Sequence, residues 1–207
     1  MHIDILSDVQ RKILPLLAKA VANTGFYLAG GTALALQIGH RPSMDFDWFI
    51  RKLGDPEILF SRLKSFNIDF EIQSVSLETV YLNIESVQIS FIGYDYPMLQ
   101  PKVLWPEYGI HLAALDDIAC MKLSAIASRG SRKDFVDLHF LIKRFFSLED
   151  CLRYYTEKYE NRDIGHVIRS LVYFSDAEIE PDIRMEKPLV WEDLKLDFEK
   201  RVKDLKL

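Results

Sequence analysis

Cysteine is scarce. Cys120 and Cys151 are the two in 207 residues, and neither has a partner at metal-ligand spacing. That excludes a disulfide framework and leaves two reduced, partly buried thiols. The histidines, at positions 2, 40, 111, 139 and 166, are too scattered for a zinc site. No apolar run approaches the roughly 20 residues that span a bilayer, so no membrane partner is expected. The N-terminus, Met1-His2-Ile3-Asp4, lacks the basic region of a signal peptide, which makes cytoplasmic residence the expectation. Repeats and low-complexity segments are missing as well. Positive charge is short: 26 Lys and Arg stand against 31 Asp and Glu, a net charge of −5, which counts against broad nucleic-acid binding. A local basic cluster remains in Arg129, Arg132, Lys133, Lys143 and Arg144, and it reads equally well as a solvated helix face.

What is present is enough apolar matter for a real core, 49% of the chain. Ser7-Asp8-Val9-Gln10 has the pattern of a capping box opening a helix to about residue 22, with Pro15 kinking or restarting it. Residues 26–29 are a short apolar run ending in Gly-Gly, a buried strand. Thr32 is placed to cap a helix over 33–38, and Gly39 to close it. Residues 45–50 read as a second strand, 55–65 as a helix, and 69–75, 79–84 and 87–92 as further strands with a tight turn at Glu85-Ser86. Residues 94–108 hold Pro97, Pro101 and Pro106 and read as a connector. Helices are expected over 117–127, 133–146, 148–158, 163–174 and 191–205, with a Pro- and acid-rich stretch at 176–188. The fold class is α+β: a core over 1–95 on a mixed sheet flanked by helices, then a mainly helical region over 96–207.

The chemistry concentrates between Gly30 and Asp47. On a strand, residues two apart share a face, so Asp45, Asp47 and Phe49 point one way and Phe46, Trp48 and Ile50 the other. The two aspartates have Cα atoms roughly 6.5 Å apart at standard strand rise, near enough to share a hard divalent cation. Like charges so close are costly without a cation between them. A lone pair of this kind is often no more than two solvated edge residues. Gly30-Gly31-Thr32 upstream changes the balance, because the glycines let backbone approach a ligand and a helix start favours an anion. A triphosphate between that helix end and a metal on Asp45 and Asp47 is a coherent picture, with Arg41 and Ser43 in reach of phosphate.

A second cluster lies in the helical region. On a helical wheel over 117–127, Lys122 falls near the middle of an apolar arc made by Ile118, Ala119, Met121, Leu123, Ala125 and Ile126. An unpaired ammonium there is expensive, so Lys122 snorkels, pairs with a carboxylate, or faces a bound anion. Over 133–146 the arc is Phe135, Leu138, Leu141, Ile142, Phe145 and Phe146. Asp134 points into it and is the better inward partner for Lys122 or the metal region, while Asp137 sits at its margin, suited to Arg129 or Lys133. Arg132 and His139, seven apart on one face, admit a ribonuclease reading, though that spacing is common by chance.

Gly30-Gly31-Thr32-Ala33-Leu34 followed by His40-Arg41-Pro42-Ser43-Met44-Asp45-Phe46-Asp47-Trp48-Phe49 resembles the signature of AbiEii/AbiGii-type nucleotidyltransferase toxins, within the DNA polymerase beta-like superfamily. The resemblance continues through Lys122 to Gly130 and Lys133 to Leu138, spanning residues 25–145. It implies a nucleotidyltransferase-like core whose site is completed by the helical region. It further implies Mg²⁺ or Mn²⁺ on Asp45 and Asp47, and an NTP substrate on Gly30, Gly31, Thr32, Arg41, Ser43 and Lys122. Asp134 and Asp137 would join the catalytic set. The acceptor would be RNA (a tRNA among the candidates) or protein, and a cognate antitoxin would be the partner. One departure stands out: a third carboxylate is expected on a later core strand, and the position falls at Ser90. Either Asp134 or Asp137 supplies that acid or transfer is reduced, and the alternative function is a nucleotide-binding module or regulator without transfer.

Overall fold

In the computed structural model, which describes residues 1–205, the N-terminal capping box forms in full. Ser7 Oγ accepts from the Gln10 N–H at 3.2 Å and Gln10 Oε1 accepts from the Ser7 N–H at 3.0 Å. They open α1 (Asp8–Val21), which carries Pro15 inside one uninterrupted helix. The hydrogen bond lost at Pro15 is outweighed by burial of Ile13, Leu14, Leu17, Ala18 and Val21. Next come β1 (Tyr27–Ala29) and α2 (Gly30–Ile38), which Gly39 closes in the left-handed region at φ +60°. Helix α2 begins at Gly30 with Ala29 before it, so Thr32 lies inside the first turn and is not its cap.

Strand β2 (Phe46–Ile50) is followed by α3 (Pro56–Ser65), capped by Asp55 through the Glu57 N–H. Then come β3 (Glu71–Val75), β4 (Thr79–Ile84) and β5 (Val87–Gly93), with Glu85 and Ser86 both at positive φ in the tight turn. The stretch expected as a connector holds a strand instead. β6 (Val103–Trp105) pairs with β7 (Ile110–Leu112), and Pro101 and Pro106 flank β6 without interrupting it. Strands of three residues are too short for alternation to register.

The sheet order is β3-β4-β5-β2-β1-β7-β6, with β1–β7 and β2–β5 parallel and the other neighbours antiparallel. Register fixes the two faces. Leu112, Leu28, Trp48, Phe91 and Val80 stand in one cross-strand row and expose no surface. The neighbouring row, on the opposite face, is Ala29, Asp47, Ser90, Tyr81 and Ser74. The mixed sheet with its helices makes the fold α+β, as the pattern of elements implied.

The later chain forms α4 (Leu115–Arg129), α5 (Arg132–Arg144), α6 (Leu148–Tyr159), α7 (Gly165–Ser170), α8 (Ser175–Glu178) and α9 (Trp191–Asp204). The helix expected over 163–174 is shorter, because the chain turns after Ser170 and so buries Leu171, Phe174 and Ala177 together. Phe145 leaves the apolar arc of α5: the helix ends at Arg144 and the ring is exposed.

The chain divides into two compact units, Met1–Pro97 with Pro101–Ala113, and Met98–Gln100 with the residues from Ala114 onward. In the second unit α4 packs on α5, α6 and α7. There Lys158 Nζ lies 2.7 Å from Asp117 Oδ1, both side chains fully buried, and Asp117 also accepts from the Leu99 and Gln100 N–H groups at 3.1 and 3.3 Å. Cys120 and Cys151 are free and buried. Burial pushes both thiols up, that of Cys151 to about 12, so neither is a nucleophile at neutral pH. Among the described residues no helix is long and apolar enough to cross a membrane.

Candidate active site

In the first unit, the β1-to-α2 turn and β2 build one site from the strand register outward. Ala29 pairs with Asp47, which brings the Asp47 carboxylate against Gly30 at the start of α2. Gly30 has φ +68°, and a Cβ there would run into Asp47 Oδ2. Glycine is therefore required twice over, for backbone conformation and for space. Ala29 offers no side chain to cap α2, whose N-terminal end, with its favourable field for negative charge, begins at Gly30 beside this carboxylate.

Asp47 has a second neighbour. Ser90 lies directly opposite it in the parallel β2–β5 pair and donates its hydroxyl to Asp47 Oδ1 at 2.5 Å. The strand position where a third carboxylate was expected thus holds a neutral donor aimed at Asp47. Asp45 immediately precedes β2, and its carbonyl accepts from the Thr32 hydroxyl. That hydroxyl also shares a 2.8 Å hydrogen bond with Ser43 Oγ, while Gln10 Nε2 donates to the Ser43 carbonyl at 2.9 Å. Thr32 exposes no surface and Ser43 very little. Both, expected to touch nucleotide, fasten the 40–45 loop to α2 and α1. Arg41 is buried as well and donates from Nη1 to the Pro42 carbonyl at 2.9 Å.

The second unit holds the other group of expected residues. Lys122 Nζ is 2.9 Å from Asp134 Oδ1 and 2.6 Å from Asp137 Oδ2, and all three side chains are buried. Arg129 Nε adds a 2.7 Å bond to Asp134 Oδ2. Two acids and two bases balance. Burial pushes the Asp134 carboxyl up, but Lys122 and Arg129 outweigh it and hold it below its ordinary value. Asp137, expected at the margin of α5 beside Arg129 or Lys133, is fully buried and turned to Lys122. Of the three options open to Lys122, the structure takes the carboxylate pairing.

The ribonuclease pair does not form. Arg132 Nε donates to the Ala177 carbonyl at 3.0 Å, its Nη1 pairs with Asp182, and its guanidinium lies 4.8 Å over Trp191. His139 is buried beside Asp197 and is not an exposed polar residue. The basic cluster is accordingly not one solvated face, since Arg129 and Arg132 are spent on structure.

Two long-range contacts are not legible in the sequence. Gln10 acts at long range on Ser43, and its place in the capping box was the one signal it gave. Ser90 was noticed for what it replaced, not for the bond it makes.

The donor set suits a small hard cation. Among the described residues no group of three His, Cys, Asp or Glu is placed to hold a metal. Mg²⁺ is usually held by one or two carboxylates, with waters and substrate phosphates completing its octahedron. Asp45 and Asp47 are both half-buried, and Asp47 lies where a Cβ on Gly30 would run into its carboxylate, a pair of acids that meets that description.

Comparison with known proteins points one way. The family described as nucleotidyl transferase AbiEii toxin, type IV toxin–antitoxin system, matches residues 13–207. The protein aq_aa25 of Aquifex aeolicus is 37% identical over 210 residues, covering 96% of this chain and 97% of its own. Among solved structures, the nucleotidyltransferase toxin MenT4 of Mycobacterium tuberculosis superposes with a TM-score of 0.63 at 16% identity, covering 96% of this chain and 84% of that one. JHP933 of Helicobacter pylori gives 0.58 at 21% identity, covering 96% and 92%. At those identities the structural likeness speaks for the fold.

Proposed function

The chain belongs to the AbiEii nucleotidyltransferase toxin family, and from that premise we propose that it moves a nucleoside monophosphate from an NTP to a hydroxyl of RNA or protein. The observation that carries this reading is the Asp47 carboxylate, fixed between Ser90 and Gly30 at the uncapped start of α2. Asp45 and Asp47 would hold Mg²⁺ or Mn²⁺, which when bound supplies charge neutralisation on the phosphates. The residues of the chain do the rest. Gly30 and Gly31 admit the triphosphate close to backbone, the first N–H groups of α2 face its negative oxygens, and the Thr32–Ser43–Gln10 chain keeps Asp45 in place. The acceptor hydroxyl would give its proton to solvent as its oxygen bonds to the α-phosphorus, while the bond from that phosphorus to the bridging oxygen of the β-phosphate breaks and pyrophosphate leaves with the electron pair.

Lys122, Asp134 and Asp137 enter the site through the resemblance. Their geometry makes them a balanced ion-pair cluster that holds α4 to α5. A toxin role, arrest by modifying a cellular acceptor, with a cognate antitoxin as partner and the cytoplasm as the place of action, accompanies the family assignment as part of the proposal.

The test is incubation of the protein with each α-³²P-labelled NTP, Mg²⁺ and total cellular RNA. Label on RNA or on the protein itself, lost in Asp45→Ala and Asp47→Ala, is the expected result and names the base. A neutral residue where a third acid was expected favours one other reading, a nucleotide-binding module. Metal-dependent NTP binding without label on any acceptor would establish that instead.

A further inference from the structure

We infer that Ser90 is a positioning residue that sets the Asp47 carboxylate for a single divalent cation. This rests on the reading of Asp45 and Asp47 as the metal site. Ser90 is 2% exposed, so water does not compete for its hydroxyl. Its one proton goes to Asp47 Oδ1, while Asp47 Oδ2 lies against Gly30. The carboxylate is therefore held at one oxygen by a hydrogen bond, while its other oxygen occupies space that only a glycine at 30 leaves open. An ionised carboxylate offers about four lone-pair sites. Ser90 uses one and leaves the others for a cation.

The residue type matters as much as the geometry. An aspartate at 90 would put two like charges in direct register across neighbouring strands, stable only with cations between them. Serine gives the opposite result: Asp47 stays ordered whether or not a cation is present. A site with two carboxylates and a neutral orienting donor has charge for one Mg²⁺, with the nucleotide phosphates completing its shell. Tyr81, next in the row on β4, flanks Ser90 on the side away from Asp47.

The experiment is Mn²⁺ titration followed by electron paramagnetic resonance, with unfolding followed by circular dichroism on the same samples. The wild-type chain should bind one Mn²⁺, and Asp47→Ala should abolish it. Ser90→Ala should unfold as cooperatively as wild type yet bind Mn²⁺ about tenfold more weakly, the size expected for removing an outer-shell partner. Ser90→Thr, which restores the hydroxyl, should recover most of the affinity. Wild-type affinity in Ser90→Ala would overturn the positioning role while leaving the metal site standing. Two Mn²⁺ bound by the wild-type chain would overturn the single-cation part. No Mn²⁺ bound by the wild-type chain would remove the metal-site reading itself and this inference with it.

Discussion

Gly30 and Asp47 stand so close that no side chain fits between them: the first atom of one would overlap Asp47 Oδ2. Gly30→Ala should therefore lose NTP binding and transfer together. Forcing alanine into the positive-φ region adds about 1–3 kcal/mol of instability. Thermal unfolding and nucleotide titration on one preparation check both parts. A variant that binds NTP normally would show that the Asp47 contact is dispensable.

Lys122→Met should act on the fold before it acts on catalysis. Removing the ammonium leaves Asp134 and Asp137 buried with one cation, Arg129, for two charges. Breaking a buried pair in this way costs about 3–5 kcal/mol. Denaturant unfolding should show that loss, and the triple variant Lys122→Met, Asp134→Asn, Asp137→Asn should regain part of it. If Lys122→Met keeps its stability and loses NTP use, the lysine serves phosphate instead.

Arg132→Ala should loosen the chain over 176–191 and leave any transferase activity largely in place. Arg132 reaches Ala177, Asp182 and Trp191, and Ser131 Oγ and the Arg132 N–H both donate to Glu180. Limited proteolysis should cut that stretch faster in the variant, with α4 and α5 protected as before.

His139 should make stability fall on mild acidification. Burial holds its imidazole below the ordinary value of 6.5, with Lys143 and Arg201 adding to the effect and Asp197 opposing it. The unfolded chain takes up this proton first on acidification. The contribution of the neutral ring is thus fully present above the unfolded value and is lost as pH falls through it to the folded one. Denaturation midpoints measured from about pH 7.5 to pH 5.5 should slope more steeply for wild type than for His139→Gln.

What the sequence made legible was local. The Ser7–Gln10 box, the Gly39 stop and the Glu85-Ser86 turn each depend on a few neighbours, and each is found where the pattern puts it. The close approach of Gly30 to strand β2 was foreshadowed by the glycine turn, but β2 begins at Phe46, one residue later than alternation over 45–50 had it, so Asp45 precedes the strand. Contacts set by register were not legible. Ser90 meets Asp47 only once β5 lies parallel to β2, and nothing within either strand states that pairing. Asp137 looked marginal on a helical wheel, yet a lysine long enough to reach two turns of α5 draws it inside. That Thr32 and Ser43 hydrogen-bond to each other was not legible either, because it depends on the loop over 40–45 folding back on α2.

The order in which strands join the sheet bears on how the chain is made. β1 sits at the heart of the sheet, between β2 and β7, and its Leu28 pairs with Leu112 while the Leu28 carbonyl accepts from Ala113. During synthesis that carbonyl has no partner until residue 113 has left the ribosome. The residues before it include 98–100, whose anchor, Asp117, comes later still and is itself paired with Lys158. The first unit therefore cannot complete its sheet before residue 113 is made. A nascent chain halted before residue 113 would carry an open sheet margin at β1, which is the kind of surface chaperones bind.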